Sequence, residues 1–233
     1  TENTKAILLE SPTSFILEIV DIAAVTELAK VKGIRTIIDN SWATPLYLKP
    51  LGLGVDIVVH SASKYLGGHN DLVGGAVIAS KEIIDRMYAE EFELIGASLA
   101  PFEAWLLIRG LRTLPLRMEV HQRNGLEVAR FLSKHPVVSK VNHPGLPSHP
   151  HHDLARRQLG GYSGLFSFEL KDAAYEEIRS ALNKLRMIRI GVSWVAMESQ
   201  IISPNYGYNQ ADLESRHIPK SLIRLAVGLE PPA

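Results

Sequence analysis

The chain has 233 residues, 25 basic and 25 acidic side chains, and no cysteine. That length allows a large buried core, and 46% hydrophobic with 21% charged residues is the balance of a soluble globular protein. Zero net charge gives no electrostatic case for nucleic acid or an anionic membrane, and the lack of cysteine excludes disulfides, thiolate catalysis and thiolate metal sites. No uncharged run is long enough to span a bilayer, and the N-terminus lacks the basic-then-apolar form of a signal peptide, so the cytoplasm is the expected compartment.

In chain order, an apolar strand is expected at 6–9, followed by a helix over 21–32 with Asp21 placed to cap it and Gly33 to end it. Strands follow at 34–38, 55–59 and 75–79, then a helix at 81–92. This β-α-β alternation predicts an α/β unit, a mainly parallel sheet flanked by helices. Helical patterns over 101–111 and 115–133 come next, and the second links a domain of residues 1–133 to one of residues 134–233. Strand candidates at 137–141, 165–170, 187–190 and 222–227, with a helix at 173–185, make the C-terminal domain α+β.

The chemistry gathers at two strand ends. Asp39 closes the run Ile37-Ile38-Asp39-Asn40, and Lys64 stands in His60-Ser61-Ala62-Ser63-Lys64-Tyr65 just past the run 55–59. In parallel sheets functional groups collect beyond the carboxyl ends of strands, so both residues are placed to meet one crevice. A lysine amine is almost fully protonated near its ordinary pKa of about 10.4, and it becomes a nucleophile when desolvated or covalently engaged. A lysine, a carboxylate and the alternating hydroxyls of Ser61 and Ser63 are the parts that hold pyridoxal phosphate: amine to aldehyde, carboxylate to ring nitrogen, hydroxyls to phosphate. Taken singly, each is more often a solvated loop residue or a turn. Arg224, inside the apolar run Leu222 to Val227, either grips a carboxylate or lies on the wet face of an edge strand.

The segments Leu9-Glu10-Ser11-Pro12-Thr13, Asp39-Asn40-Ser41-Trp42-Ala43-Thr44-Pro45 and His60-Ser61-Ala62-Ser63-Lys64-Tyr65-Leu66-Gly67-Gly68-His69 resemble successive signatures of the Cys/Met-metabolism pyridoxal-phosphate enzymes. The likeness continues in order through Arg109-Gly110-Leu111-Arg112-Thr113-Leu114, Val141-Asn142-His143-Pro144-Gly145-Leu146, Gly164-Leu165-Phe166-Ser167-Phe168 and Leu222-Ile223-Arg224-Leu225-Ala226-Val227-Gly228-Leu229-Glu230. Ser14 and the pair Ser193-Trp194 are similar to the bacterial cystathionine β-lyase form. The resemblance implies part of a pyridoxal-phosphate-dependent transferase large domain and a β-elimination that cleaves cystathionine or a related cysteine thioether to a thiol, pyruvate and ammonia. It implies that Lys64 binds the cofactor covalently and serves as catalytic base. Asp39, Ser41, Ser61 and Ser63 complete the cofactor site, Ser61 and Ser63 at the phosphate. Ser193, Trp194 and Arg224 are implied to hold the substrate. The implied partners are a small amino-acid thioether and further copies of the chain, as a dimer or tetramer, with no metal, nucleic acid or membrane. Alternatives are γ-elimination or γ-replacement, and a non-catalytic piece that folds and associates.

The pattern has departures. Val195 and Ala196 stand where the family usually has glycines, and Gln200 where it has leucine. Family members are longer: the likeness starts partway through the cofactor domain, and the remainder is expected to carry a glycine-containing phosphate loop, a ring-stacking aromatic, and a tyrosine and arginine offered to the neighbouring subunit. The C-terminus, Glu230-Pro231-Pro232-Ala233, precedes the family's closing helix. Three other groups attract attention. His143, His149, His151 and His152 with Asp153 suggest zinc, but Pro144, Pro147 and Pro150 make the stretch an irregular loop. Gly67-Gly68 and Gly74-Gly75 lack dinucleotide-loop spacing and are expected to let backbone pass close to the cofactor or a neighbouring strand. Tyr206 and Tyr208 either line a substrate entrance or form an exposed turn.

Overall fold

The computed structural model describes residues 2–96, 98–194 and 197–232. The chain divides into two compact units, one built from the residues up to Ser11 and Val20–Leu114, the other from Pro12–Ile19 and the residues after Leu114. The first runs β1 (Ala6–Glu10), α1 (Ile22–Val31), β2 (Arg35–Asp39), α2 (Thr44–Tyr47), a 3-10 turn at Pro50–Leu53 and β3 (Ile57–Ser61). After a π turn at Ala62–Leu66 come β4 (Gly75–Ala79), α3 (Lys81–Met87), a π turn at Tyr88–Phe92 and α4 (Glu93–Ile95). Helix α5 (Pro101–Ser133) belongs to both units.

Local chemistry explains α1. The Asp21 side chain accepts from Ala24 N at 3.1 Å, satisfying one of the N–H groups left open at a helix start, and Gly33 at φ 63° ends the helix in the left-handed region. Ile22 and Ala29 are buried on its inner face. The sheet order is β1-β2-β3-β4, with the first three strands parallel and β4 antiparallel to β3. The α/β reading holds, and the antiparallel edge follows because β3 folds back through the π turn without a crossover helix.

The helical patterns over 101–111 and 115–133 form one helix of 33 residues, with Pro115 inside it. Proline removes a single i to i−4 bond, and the surrounding ladder carries the helix through. The second unit continues with β5 (Val138–Asn142), α6 (His152–Gln158), β6 (Leu165–Leu170), α7 (Tyr175–Asn183), β7 (Arg189–Ile190), β8 (Gln200–Ile202), α8 (Gln210–Ser215) and β9 (Leu222–Ala226). Its sheet order is β5-β6-β9-β8-β7, antiparallel except for β7 and β8, and thus α+β. One face of β9 presents Ile223 and Leu225 to a core with Phe166, Phe168, Ile178 and Ala129. Leu222, on the other face, joins Leu213 and Ile218 in a smaller cluster against Phe15 and Ile16. Among the described residues no helix is long and apolar enough to cross a membrane.

Candidate functional site

In the first unit, Glu10, Asp39 and Ser61 end three parallel strands at one edge, Asp39 pairing with Glu10 on one side and Val59 on the other. Ser41 N donates to Asp39 Oδ1 at 2.9 Å, a turn that fixes the carboxylate, and Ser41 Oγ accepts from Ser61 N at 2.6 Å. That second bond fastens the Asp39 turn to the start of the segment carrying Lys64. Asn40, 1% exposed, donates through Nδ2 to Thr44 O and Leu48 O at 3.2 and 3.1 Å. It thereby helps hold Thr44 at φ 60°, a conformation a β-branched residue rarely adopts.

Lys64 lies mid-way in the π turn, where its backbone leaves helical geometry at φ −99°, ψ −125°. Gly67 N closes the turn on Ala62 O and Gly68 N bonds Lys64 O, each at 2.8 Å. Tyr65 and Leu66 are buried while Lys64 is half-buried, so apolar neighbours fix the turn and desolvate its lysine in part. Ser63 Oγ accepts from Gly74 N at 3.0 Å and lies 3.4 Å from Gly74 O. Its hydroxyl has one proton, so phosphate binding by Ser63 requires that proton to turn away from the long Gly74 contact. Burial lowers the His60 pKa below the ordinary histidine value against the opposing pull of the Asp39 charge and a hydrogen bond to the Asn40 backbone. A neutral imidazole therefore sits beside the carboxylate.

Gly67 is approached closely by helix α5 and not by a neighbouring strand. A Cβ on Gly110 would stand 2.1 Å from Gly67 O and 2.8 Å from Leu66 O. Gly110→Ala should therefore destabilise the first unit by about 1–3 kcal/mol, the usual cost of overpacking. Urea unfolding reads this, and an unchanged midpoint would show that the helix simply moves aside.

In the second unit Arg224 is 6% exposed on the central strand β9, between Ser167 of β6 and Ile202 of β8. The edge-strand reading is thus overturned: sheet order puts β9 in the middle. Arg224 NH2 donates to the carbonyls of Val192 and Ser193, and its Cζ lies 5.0 Å from the Phe15 ring centroid and 5.9 Å from that of Trp194. Trp194 is buried, whereas the Ser193 side chain is exposed and the residue meets Arg224 through its carbonyl. Val195 and Ala196 lie outside the described residues. Gln200 opens β8 and pairs with Ala226. Tyr206 and Tyr208 form an exposed turn around Gly207 at φ 83°.

The histidine-rich stretch is built into the fold. Among the described residues no group of three or more His, Cys, Asp or Glu could hold a metal ion. His143 Nδ1 accepts from Gly145 N at 3.0 Å between the rings of Tyr162 and Phe166, while His149 accepts from His151 N at 3.1 Å and meets Leu17 O at 3.0 Å. Burial is the main cause that takes His143 down to about 3 and His149 to about 4. Both stay neutral in the folded state, whereas the unfolded chain binds protons near pH 6.5, so their stability contribution is full above that value and falls as pH drops toward about 4 and about 3. Between pH 7 and 5 each should cost about 2 kcal/mol. Urea unfolding should show a shallower loss in His149→Gln than in the wild type, and parallel curves would remove His149 from this role.

The family described as Cys/Met metabolism PLP-dependent enzyme matches residues 1–232. The chain belongs to this family. It is 40% identical over 235 residues to a protein named cystathionine beta-lyase from Coxiella burnetii, covering 99% of this chain and 60% of that protein. It is also 40% identical over 231 residues to a cystathionine gamma-synthase from Mycobacterium bovis, covering 99% and 59%. The crystal structure of cystathionine gamma-lyase from Lactobacillus plantarum complexed with L-serine superposes with a TM-score of 0.92 at 40% identity, over 99% of this chain and 61% of that one. The chain thus spans about 60% of the length of the curated relatives it matches.

The family's cofactor is pyridoxal phosphate, and the side chains at the sheet edge fit it. A carboxylate fixed by its own turn suits the ring nitrogen, a partly desolvated amine the aldehyde, and serine hydroxyls the phosphate. Two participants escape sequence reasoning. Asn40 signals itself only as the residue after Asp39, and Phe15 has no periodicity that ties it to Arg224.

Proposed function

We propose that this chain carries the cofactor-holding and carboxylate-binding residues of a pyridoxal-phosphate-dependent carbon–sulfur lyase that cleaves cystathionine or a related cysteine thioether by β-elimination. The observation carrying the proposal is the Ser61 N to Ser41 Oγ bond, which ties the turn of Asp39 to that of Lys64 at one sheet edge. Pyridoxal phosphate, when bound, supplies an electron sink for charge developing at the substrate's Cα. Asp39 would pair with the ring nitrogen and keep it protonated, Ser61 and Ser63 would bind the phosphate end, and Ser41 would hold the Asp39 turn in place. Lys64 Nζ would hold the aldehyde and, once the substrate amine takes its place there, the freed amine would remove the Cα proton as general base. Arg224 receives the substrate carboxylate, with Trp194 and the Ser193 carbonyl packed around its guanidinium. A thiolate would leave from Cβ and take up a proton, and the remaining fragment would be hydrolysed by water to pyruvate and ammonia.

Beta-lyase, gamma-synthase and gamma-lyase names all stand among the relatives at 40% identity, so the choice of β-elimination rests on Ser14 and on Trp194 following Ser193. The reading includes a homo-oligomer, dimer or tetramer, in the cytoplasm. Incubation of the purified chain with pyridoxal phosphate and borohydride should leave a phosphopyridoxyl mass increment on Lys64, and cystathionine should yield pyruvate. Release of 2-oxobutyrate instead would assign γ-elimination. Labelled Lys64 without either keto acid would leave a cofactor-binding piece, and no label would remove the Lys64 assignment.

A further inference from the structure

We propose that Phe15 is a positioning residue that sets the Arg224 guanidinium for a carboxylate; this deepens, and rests on, the reading of Arg224 as the carboxylate-binding group. The two residues are distant in sequence, yet Arg224 Cζ lies over the Phe15 ring, 5.0 Å from its centroid. Phe15 is held there by a relay through the sheet. Asn142 Nδ2 donates to Ser167 Oγ at 3.1 Å, and Ser167 Oγ donates to the Phe15 carbonyl. Asn142 and Ser167 are 1% and 0% exposed, and Ser167 is the direct cross-strand partner of Arg224. The residue that aims Phe15 is thus the one beside the guanidinium.

The backbone supports the same conclusion. Phe15 has φ 67° and Leu17 φ 56°, conformations that bulky L-residues avoid and that persist where the surroundings over-determine them. Those surroundings include His149 bonding Leu17 O at 3.0 Å and Ile19 N donating to His151 Nδ1 at 3.2 Å. Leu17 anchors the strap by full burial, while Phe15 stays half-buried with its ring on the guanidinium. A ring face attracts the cation without taking any of its in-plane N–H donors, so it orients the fork and leaves hydrogen bonding to the carbonyls and to a ligand. An aliphatic side chain of similar size would keep the packing and lose that attraction.

Phe15→Leu should raise the KM for cystathionine about tenfold, the scale of a desolvated cation–π contact, and leave kcat within about twofold. Phe15→Tyr should restore wild-type KM. In the double variant with Arg224→Ala, Phe15→Leu should add nothing, because its effect passes through the arginine. A KM unchanged by Phe15→Leu, or additive losses in the double variant, would overturn the inference while Arg224→Ala still raises KM. An Arg224→Ala variant with unchanged KM would instead overturn the carboxylate reading itself. A readout that needs no turnover is the Nε–H signal of Arg224 in 15N-labelled chain, identified by its loss in Arg224→Lys. Phe15→Leu should shift it and speed its hydrogen exchange, Phe15→Tyr should not, and an unmoved signal in Phe15→Leu would count against the contact even if no variant turns over.

Discussion

Lys64→Ala is expected to abolish the visible absorbance of the lysine-bound cofactor and to lower turnover by on the order of 10⁴-fold, the upper range for loss of a general base. On the proposed reading two functions end together, because the same nitrogen would anchor the aldehyde and move the Cα proton. The substitution is gentle to the fold. The π turn is closed by backbone bonds, Gly67 N to Ala62 O and Gly68 N to Lys64 O, which alanine leaves in place. Its buried anchors, Tyr65 and Leu66, are untouched. Circular dichroism and the urea midpoint should therefore match the wild type, separating lost chemistry from lost structure. Retained absorbance in the variant, or borohydride trapping at another lysine in the wild type, would move the attachment site elsewhere.

Why some of this was legible in the sequence and some was not follows from where the determining contacts lie. Helix α1 carries its own cap in Asp21 and its own stop in Gly33, and the strands 75–79 and 165–170 match their patterns residue for residue. Strand β8 has three residues, too few to set a period, and α6 starts at His152 in a proline- and histidine-rich stretch that reads as loop. Pro115 suggested two helices because the signal is local, whereas the helix continues through it. At the site, Asp39 and Lys64 were placed by a rule about strand ends. The tie of Ser63 to the Gly74 backbone depends on how the chain folds back, which no residue type announces. Arg224 remained ambiguous for a related reason. Chain order does not reveal sheet order, and the last strand of the sequence is the middle strand of its sheet.

Arg224→Ala should raise the KM for cystathionine about 100-fold, in line with losing a charge-assisted pair worth roughly 3 kcal/mol, and change kcat far less. A guanidinium 6% exposed on a central strand, facing two carbonyls and two aromatic rings, sits where water is largely excluded, and there a charge-assisted bond to a carboxylate is strong. A substrate carboxylate supplies the opposite charge and accepts two parallel N–H bonds. Arg224→Lys keeps the charge and loses the fork, so its KM should fall between wild type and alanine. The substrate's own chemistry gives an independent check. If the carboxylate is the partner, the wild type should reject the carboxamide of cystathionine by a factor similar to the alanine effect, and Arg224→Ala should hardly distinguish acid from amide. Equal discrimination by both proteins would place the carboxylate on another group and leave Arg224 a structural cation of the sheet.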